Sequence, residues 1–218
     1  MGPPADVVYD GSEENGLRSG SGTLMFANGD SYVGEFLRGF RHGRGTYTYL
    51  KGARVYEGEW RRSLRHGHGK EVWRHGERIV WSYDGAYVDD KKHGVGVERK
   101  ATQGTYSGTF VNDVKEGSGV MTWPNGDTYD GQWQDGRMCG VGKHTRQADG
   151  STYDGMWIHG LRHGRGRAVS KDEIYDGMWK EGKRHGEGFV IVHAKQRHGV
   201  WDKGQRVKWT SAETMIKE

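Results

Sequence analysis

Aromatic and glycine residues alternate with mostly polar ones in short stretches that return along the chain. The clear copies are Tyr32-Val33-Gly34-Glu35-Phe36, Tyr56-Glu57-Gly58-Glu59-Trp60, Tyr129-Asp130-Gly131-Gln132-Trp133, Tyr153-Asp154-Gly155-Met156-Trp157 and Tyr175-Asp176-Gly177-Met178-Trp179. Period-two alternation marks strands with one covered face. With the lead tyrosine counted as position 0, glycine stands at 2, Trp or Phe at 4, often glycine at 7, and glycine again at 11 and 13. Position 0 falls at Tyr9, Tyr32, Tyr56, Tyr83, Tyr106, Tyr129, Tyr153 and Tyr175, so successive steps are 23, 24, 27, 23, 23, 24 and 22 residues. Such self-similarity predicts a repeat architecture in which each copy packs only on its neighbours.

On an extended strand, positions 0, 2 and 4 share one face, so a ring can lie over the bare backbone of the glycine between them. The glycines at 11 and 13 offer the same on the returning strand, where a neighbouring aromatic offsets part of what glycine costs. Positions 5 to 10 read as the hairpin connection. A second strand, as in Thr46-Tyr47-Thr48-Tyr49 or Val120-Met121-Thr122-Trp123, ends at turns such as Asn28-Gly29-Asp30 and Asn125-Gly126-Asp127. Each copy is then one β-hairpin. The expected fold is all-β, an elongated single-layer antiparallel β-solenoid of successive hairpins, about 10 Å per copy and about 80 Å in all.

The array is expected to occupy residues 9–204, eight copies plus a partial ninth that keeps Gly199, Trp201 and Gly204 with Arg197 in the tyrosine position. The first copy is also atypical, with Glu13 where an aromatic belongs, as terminal repeats often are. Residues 1–8 form a short lead beginning Met1-Gly2-Pro3-Pro4, and 205–218 a tail in which Thr210 and Glu213 suggest a capping box for a short helix. No room is left for a second domain.

Only 33% of the 218 residues are hydrophobic and 38 are glycine, a composition that without periodicity would point to disorder. The 9 Trp and 11 Tyr at regular spacing supply the buried area that a disordered tract lacks. A lone Cys139 excludes an internal disulfide framework, and no Asn begins a glycosylation sequon. A reducing cytosolic compartment is therefore expected. The longest apolar run, Phe189-Val190-Ile191-Val192, is far short of a membrane span, and Asp6 stands where a myristoylation signal needs Ser or Thr. Any membrane contact is expected to be peripheral.

The repeated phrases resemble the MORN repeat family, whose units read Tyr-x-Gly-x-Trp followed by a basic residue, His-Gly and x-Gly. His42-Gly43-Arg44-Gly45, His66-Gly67-His68-Gly69, His163-Gly164-Arg165-Gly166 and His185-Gly186-Glu187-Gly188 carry the second half of that motif. The order of irregularities resembles one type within the family: Asn15-Gly16-Leu17-Arg18 at the start, an extended third unit reaching Tyr83, and Lys91-Lys92-His93-Gly94 after it. The resemblance implies an elongated scaffold without enzymatic activity, placed in the cytoplasm and cytoskeleton, in the axoneme of a cilium or flagellum. Expected partners are cytoskeletal or axonemal proteins, with no nucleic acid among them and no cofactor.

Two rows of residues are the candidate surfaces. The aromatic row Phe36, Trp60, Tyr87, Phe110, Trp133, Trp157 and Trp179 is first the stacking core. In a single layer some rings should stay partly open, as a groove for an amphipathic helix or a second copy of the chain in a homodimer. Position 9 is basic at Arg18, Arg41, Arg65, Lys92, Lys115, Arg162 and Arg184, a stripe that could meet anionic lipid or acidic protein. Position 1 is acidic in six copies, so the plainer reading is two complementary charge ladders on one face. The net charge of only +4 weakens the lipid alternative. The position 10 histidines, His42, His66, His93, His163 and His185, lie about 10 Å apart in this register, too far to share one zinc ion. Neither a metal site nor a catalytic residue is expected; Cys139 takes a position usually held by histidine, and the Gly-x-Gly pairs open no helix.

Overall fold

A computed structural model describes residues 6–49 and 52–216. The lead Met1-Gly2-Pro3-Pro4 lies outside the described residues. Strands account for nearly all regular structure, and no α-helix occurs among the described residues. The chain forms two compact units, Met1–Val114 and Lys115–Glu218.

The first unit runs through β1 (Asp6–Glu14), β2 (Leu17–Phe26), β3 (Ser31–Leu37), β4 (Phe40–Tyr49), β5 (Arg54–Arg61), β6 (Leu64–His75), β7 (Arg78–Val88), β8 (Lys91–Lys100) and β9 (Gly104–Val111). Each strand pairs antiparallel with the next. The second unit takes up β10 (Val114–Thr122) after its first residue, which closes the first unit, and holds β11 (Thr128–Gln134), β12 (Arg137–Thr145), β13 (Thr152–Ile158), β14 (Leu161–Val169), β15 (Ile174–Lys180), β16 (Lys183–Val192), β17 (Lys195–Asp202), β18 (Gln205–Trp209) and β19 (Thr214–Met215). It too is a meander as far as β18, with β19 on the same strand, β17, that β18 joins.

The hairpin connection is tighter than positions 5 to 10. Only positions 6 and 7 lie outside the strands, and both take positive φ in every copy, as at Arg38 (50°) and Gly39 (83°) or Asp135 (49°) and Gly136 (74°). Two consecutive left-handed residues make the turn whose twist matches the strands it joins. Where position 7 is not glycine, the side chain accepts a hydrogen bond from the preceding copy's position 9 amide. Arg41 donates to Ser63 Oγ at 3.1 Å, Arg65 to Asp90 Oδ1 at 2.9 Å and Lys92 to Asp113 Oδ1 at 2.9 Å. The sequence thus replaces glycine's freedom with a cap.

Among its described residues, through 216, the tail forms no helix. A hairpin turn at Lys203-Gly204 completes a ninth copy, and β18 and β19 lie along the edge of β17. Thr210 donates its amide to His198 O at 2.9 Å and Ile216 to Ala194 O at 2.9 Å, while Glu213 pairs with Lys195 at 2.9 Å. One helical turn would leave its terminal amides and carbonyls unpaired, whereas the open strand edge satisfies them.

Candidate functional site

The position 0 tyrosines order the aromatic face. Each phenol donates to the carbonyl three residues on, from Tyr9 to Ser12 at 2.8 Å through Tyr153 to Met156 at 2.9 Å and Tyr175 to Met178 at 3.0 Å. That bond bends the ring across its own position 2 glycine and onto the position 13 glycine paired with it, as Gly34 with Gly45. Burial pushes the Tyr153 and Tyr175 phenols up to about 12, so they remain donors at neutral pH.

The rings then interlock. Within the first unit Tyr32, Tyr56 and Tyr83 each meet the position 4 aromatic of their own copy and that of the next, edge to face: Tyr32 with Phe36 at 5.1 Å and Trp60 at 5.4 Å, Tyr56 with Trp60 at 5.1 Å and Tyr87 at 5.3 Å, Tyr83 with Tyr87 at 5.1 Å and Phe110 at 5.3 Å. The second unit repeats this from Tyr129 with Trp133 and Trp157 to Tyr175 with Trp179 and Trp201. Trp60, Trp133, Trp157 and Trp179 each donate Nε1 to a position 13 glycine carbonyl of the preceding copy at 2.8–3.0 Å.

This geometry corrects the expectation that some of the rings stay partly open. Phe36, Trp60, Tyr87, Phe110, Trp133, Trp157 and Trp179 are each no more than 6% exposed. Neighbouring copies cover their edges, and the position 9 cations cover the faces. Arg41 lies 4.4 Å from the Trp60 ring, Arg65 5.0 Å from Tyr87, Lys92 5.1 Å from Phe110, Lys115 5.1 Å from Trp133 and Arg162 5.2 Å from Trp179. Arg18 stacks at 5.8 Å from Phe36 and Arg184 at 4.4 Å from Tyr175. The basic residues form the lid of the aromatic core, each half-buried, and not a free stripe.

Nor do the position 1 acids and the position 9 bases share a face. The position 1 acids lie on the opposite, open face, where they alternate with position 14 bases across the register: Asp130, Lys143, Asp154, Arg167 and Asp176 in the second unit, and Glu57, Lys70 and Asp84 in the first. Val33, Val95, Val141, Met156 and Met178 stand exposed on that face. Because the stacked cations hold the core closed, we expect Arg41→Glu to lower stability by about 2 kcal/mol, setting a carboxylate against Tyr47 and Trp60. A shifted urea midpoint with an unchanged slope checks it.

Sequence reasoning missed two buried carboxylates at position 15. Elsewhere this position holds Leu24, Tyr47, Met121, His144, Ala168 or Val190, so a carboxylate at a mostly apolar position was the available signal. Glu71, 1% exposed, accepts from Arg54 Nε, from Arg65 Nη1 at 2.8 Å and from Tyr87 Oη at 3.1 Å. Glu98 accepts from Lys92 Nζ at 2.6 Å and Trp81 Nε1 at 3.1 Å. Burial opposes ionisation of Glu98, but these donors and the charges of Lys92 and Lys100 hold its carboxyl below the ordinary range. His144, between Trp123 and Trp157, is likewise lowered, by burial first and then by nearby Arg162 and Arg146, with Asp127 partly opposing. Both groups bind fewer protons folded than unfolded, so their stabilisation is complete above the ordinary values and lost as pH falls. Denaturation midpoints should therefore decline from about pH 6.5 downward as His144 charges in the unfolded chain, with the Glu98 contribution lost below about 4.5. His144→Gln should flatten the upper step.

Two of the position 10 histidines reach turn residues: His66 Nδ1 lies 3.4 Å from Asp89 and His185 Nδ1 3.2 Å from Asp202. Burial and Glu116 raise the Cys139 thiol, the opposite of what a nucleophile needs.

Eight segments, 9–31, 32–54, 56–78, 83–105, 106–128, 129–150, 153–172 and 175–189, match the MORN repeat. The chain belongs to the MORN repeat family. Its members use the repeat as a scaffold and interaction module. A curated relative, MORN repeat-containing protein 3 of Xenopus laevis, is 34% identical over 87 residues, 39% of this chain and 35% of that protein. The match thus spans about a third of the relative's length. Protein 3 is also the type to which the order of irregularities in this MORN array is similar.

Proposed function

We propose that this MORN array is a non-enzymatic scaffold of the cytoskeleton, in the axoneme of a cilium or flagellum, that holds protein partners on the face opposite its aromatic core. The observation carrying this reading is the division of labour between the faces. One is closed by interlocked rings and stacked cations, and the other leaves large apolar side chains in solvent with no second layer over them. The cellular placement rests on the family resemblance. The anionic-lipid alternative loses its support in geometry, since the seven basic residues it requires are engaged with the core.

Crosslinking mass spectrometry on the endogenous assembly tests the proposal. Crosslinks to axonemal or cytoskeletal proteins are expected from the exposed lysines Lys70, Lys91 and Lys143. A tagged chain that stayed diffuse in the cytosol and never entered cytoskeletal fractions would sink it.

A further inference from the structure

The residues flanking the hairpin turns, positions 5 and 8, carry a second pattern. In the first unit Leu37, Phe40, Leu64, Val88, Val111 and Val114 stand there, each 38–52% exposed. The turn does not require them. The same cross-strand sites in the second unit hold Gln134 with Arg137, Lys180 with Lys183 and Asp202 with Gln205, on hairpins of the same geometry. Only Ile158 with Leu161 repeats the apolar choice there. The first unit therefore keeps a mostly apolar line in water, interrupted by Glu14, Arg61 and Lys91, that neither folding nor turn chemistry explains.

At the second and third copies a groove of about 940 Å³ is bordered by Leu37, Phe40 and Leu64 together with His42, Arg38, Arg61 and Arg62 and the single acid Asp89. Arg61 pairs with Asp89 at 3.0 Å. Arg38 and Arg62 are exposed and occupy left-handed turn positions, φ 50° each, that Asn15 and Asn112 fill in other copies. Asparagine suits that conformation better than arginine, so the turns accept strain while presenting cations beside the groove.

We infer that this hairpin-tip groove docks an acidic amphipathic helix of a partner protein, the helix lying along the line of turns. Two strands per copy advance the apolar sites by about 9.6 Å, and two turns of α-helix advance a heptad position by about 10.5 Å. One apolar side chain per heptad meets Leu37 and Phe40, the next Leu64, the next Val88, and glutamates or aspartates beside them face Arg38, Arg61 and Arg62. A bilayer would exploit neither the spacing nor the line. The inference rests on the scaffold reading and adds the chemistry of one partner to it.

The probe is a fluorescein-labelled three-heptad helical peptide with a leucine stripe flanked by glutamates, titrated with the full chain at tracer concentration and read by anisotropy. Expected are saturable binding, a loss of about tenfold or more in Phe40→Ser/Leu64→Ser, and a clear weakening in Arg38→Glu/Arg62→Glu. The second-unit variant Ile158→Ser/Leu161→Ser should bind unchanged, and a peptide with lysines for glutamates about tenfold more weakly. Unchanged melting curves show that the variants fold. No saturable binding, equal affinity for the lysine peptide, or indifference to Phe40→Ser/Leu64→Ser overturns the inference. So does the pattern in which phosphatidylserine vesicles bind in its place and are lost in that variant. If the peptide fails while cytoskeletal crosslinks persist, the docking groove falls and the scaffold stands.

Discussion

Replacing Gly45 with alanine should destabilise the first unit by about 3 kcal/mol or more, the upper range of overpacking and enough to exhaust much of a small domain's stability. The added methyl falls on the phenol of Tyr32. That ring cannot retreat: it is fully buried, tied by its hydroxyl to Glu35 O at 3.0 Å, and wedged between Phe36 and Trp60. The partner glycine offers no relief, because a methyl on Gly34 lies 2.5 Å from Gly45 Cα. Gly76→Ala is the control. Its φ of +59° costs alanine about 1 kcal/mol, but nothing lies within 4 Å of the new methyl. Chemical denaturation of the two variants separates steric conflict from backbone preference, and in a double-mutant cycle Gly45→Ala should add little once Tyr32→Ala has removed the ring. Equal, small losses for Gly45→Ala and Gly76→Ala would refute the account of why positions 2 and 13 are always glycine.

Glu71→Ala should cost about 3 kcal/mol, because it strands Arg65 and Arg54 beside the aromatic core without their shared carboxylate. Arg65 is the more exposed to this loss, with a side chain only 15% accessible, and it keeps Asp90 at 3.0 Å as a partial partner. Tyr87 loses its acceptor as well. If the loss comes from an unpaired buried charge, then Glu71→Met with Arg65→Met should recover most of the stability, since position 15 carries methionine at Met121 in another copy. Urea denaturation of the wild type, both single variants and the pair forms the cycle. A double variant as unstable as the sum of the singles would mean that the ion pair contributes more than the apolar packing that could replace it.

The aromatic row shows where reading the sequence reached its limit. Alternation at positions 0, 2 and 4 correctly gave strands, and glycine at 11 and 13 correctly gave rings lying on bare backbone, because both depend on local geometry along one or two strands. Whether Trp60 is open or closed depends on Tyr32, Tyr56 and Arg41 together, which come from two copies and both strands of a hairpin. The basic residues were misplaced for the same reason. The two-residue turn at positions 6 and 7 sets position 9 opposite position 4, so that it shares that face, and bulges between positions 2 and 4 then set position 13 opposite position 2. A simple alternation count through the glycines cannot carry that shift. The tail was misread because Thr210 and Glu213 carry a genuine helix-start signal, but the free edge of β17 offered its backbone better partners.

By itself the sequence determined the period, the hairpin as the unit, the all-β class and the family, since these follow from spacing between residues close in the chain. It also held the buried carboxylates Glu71 and Glu98 in view as breaks in an apolar position. The tertiary structure alone decided which face is closed, that the cations seal it, and that apolar turn-flanking residues line one edge of the first unit. Those properties belong to contacts between successive copies, where packing, charge and register act together on side chains about 23 residues apart.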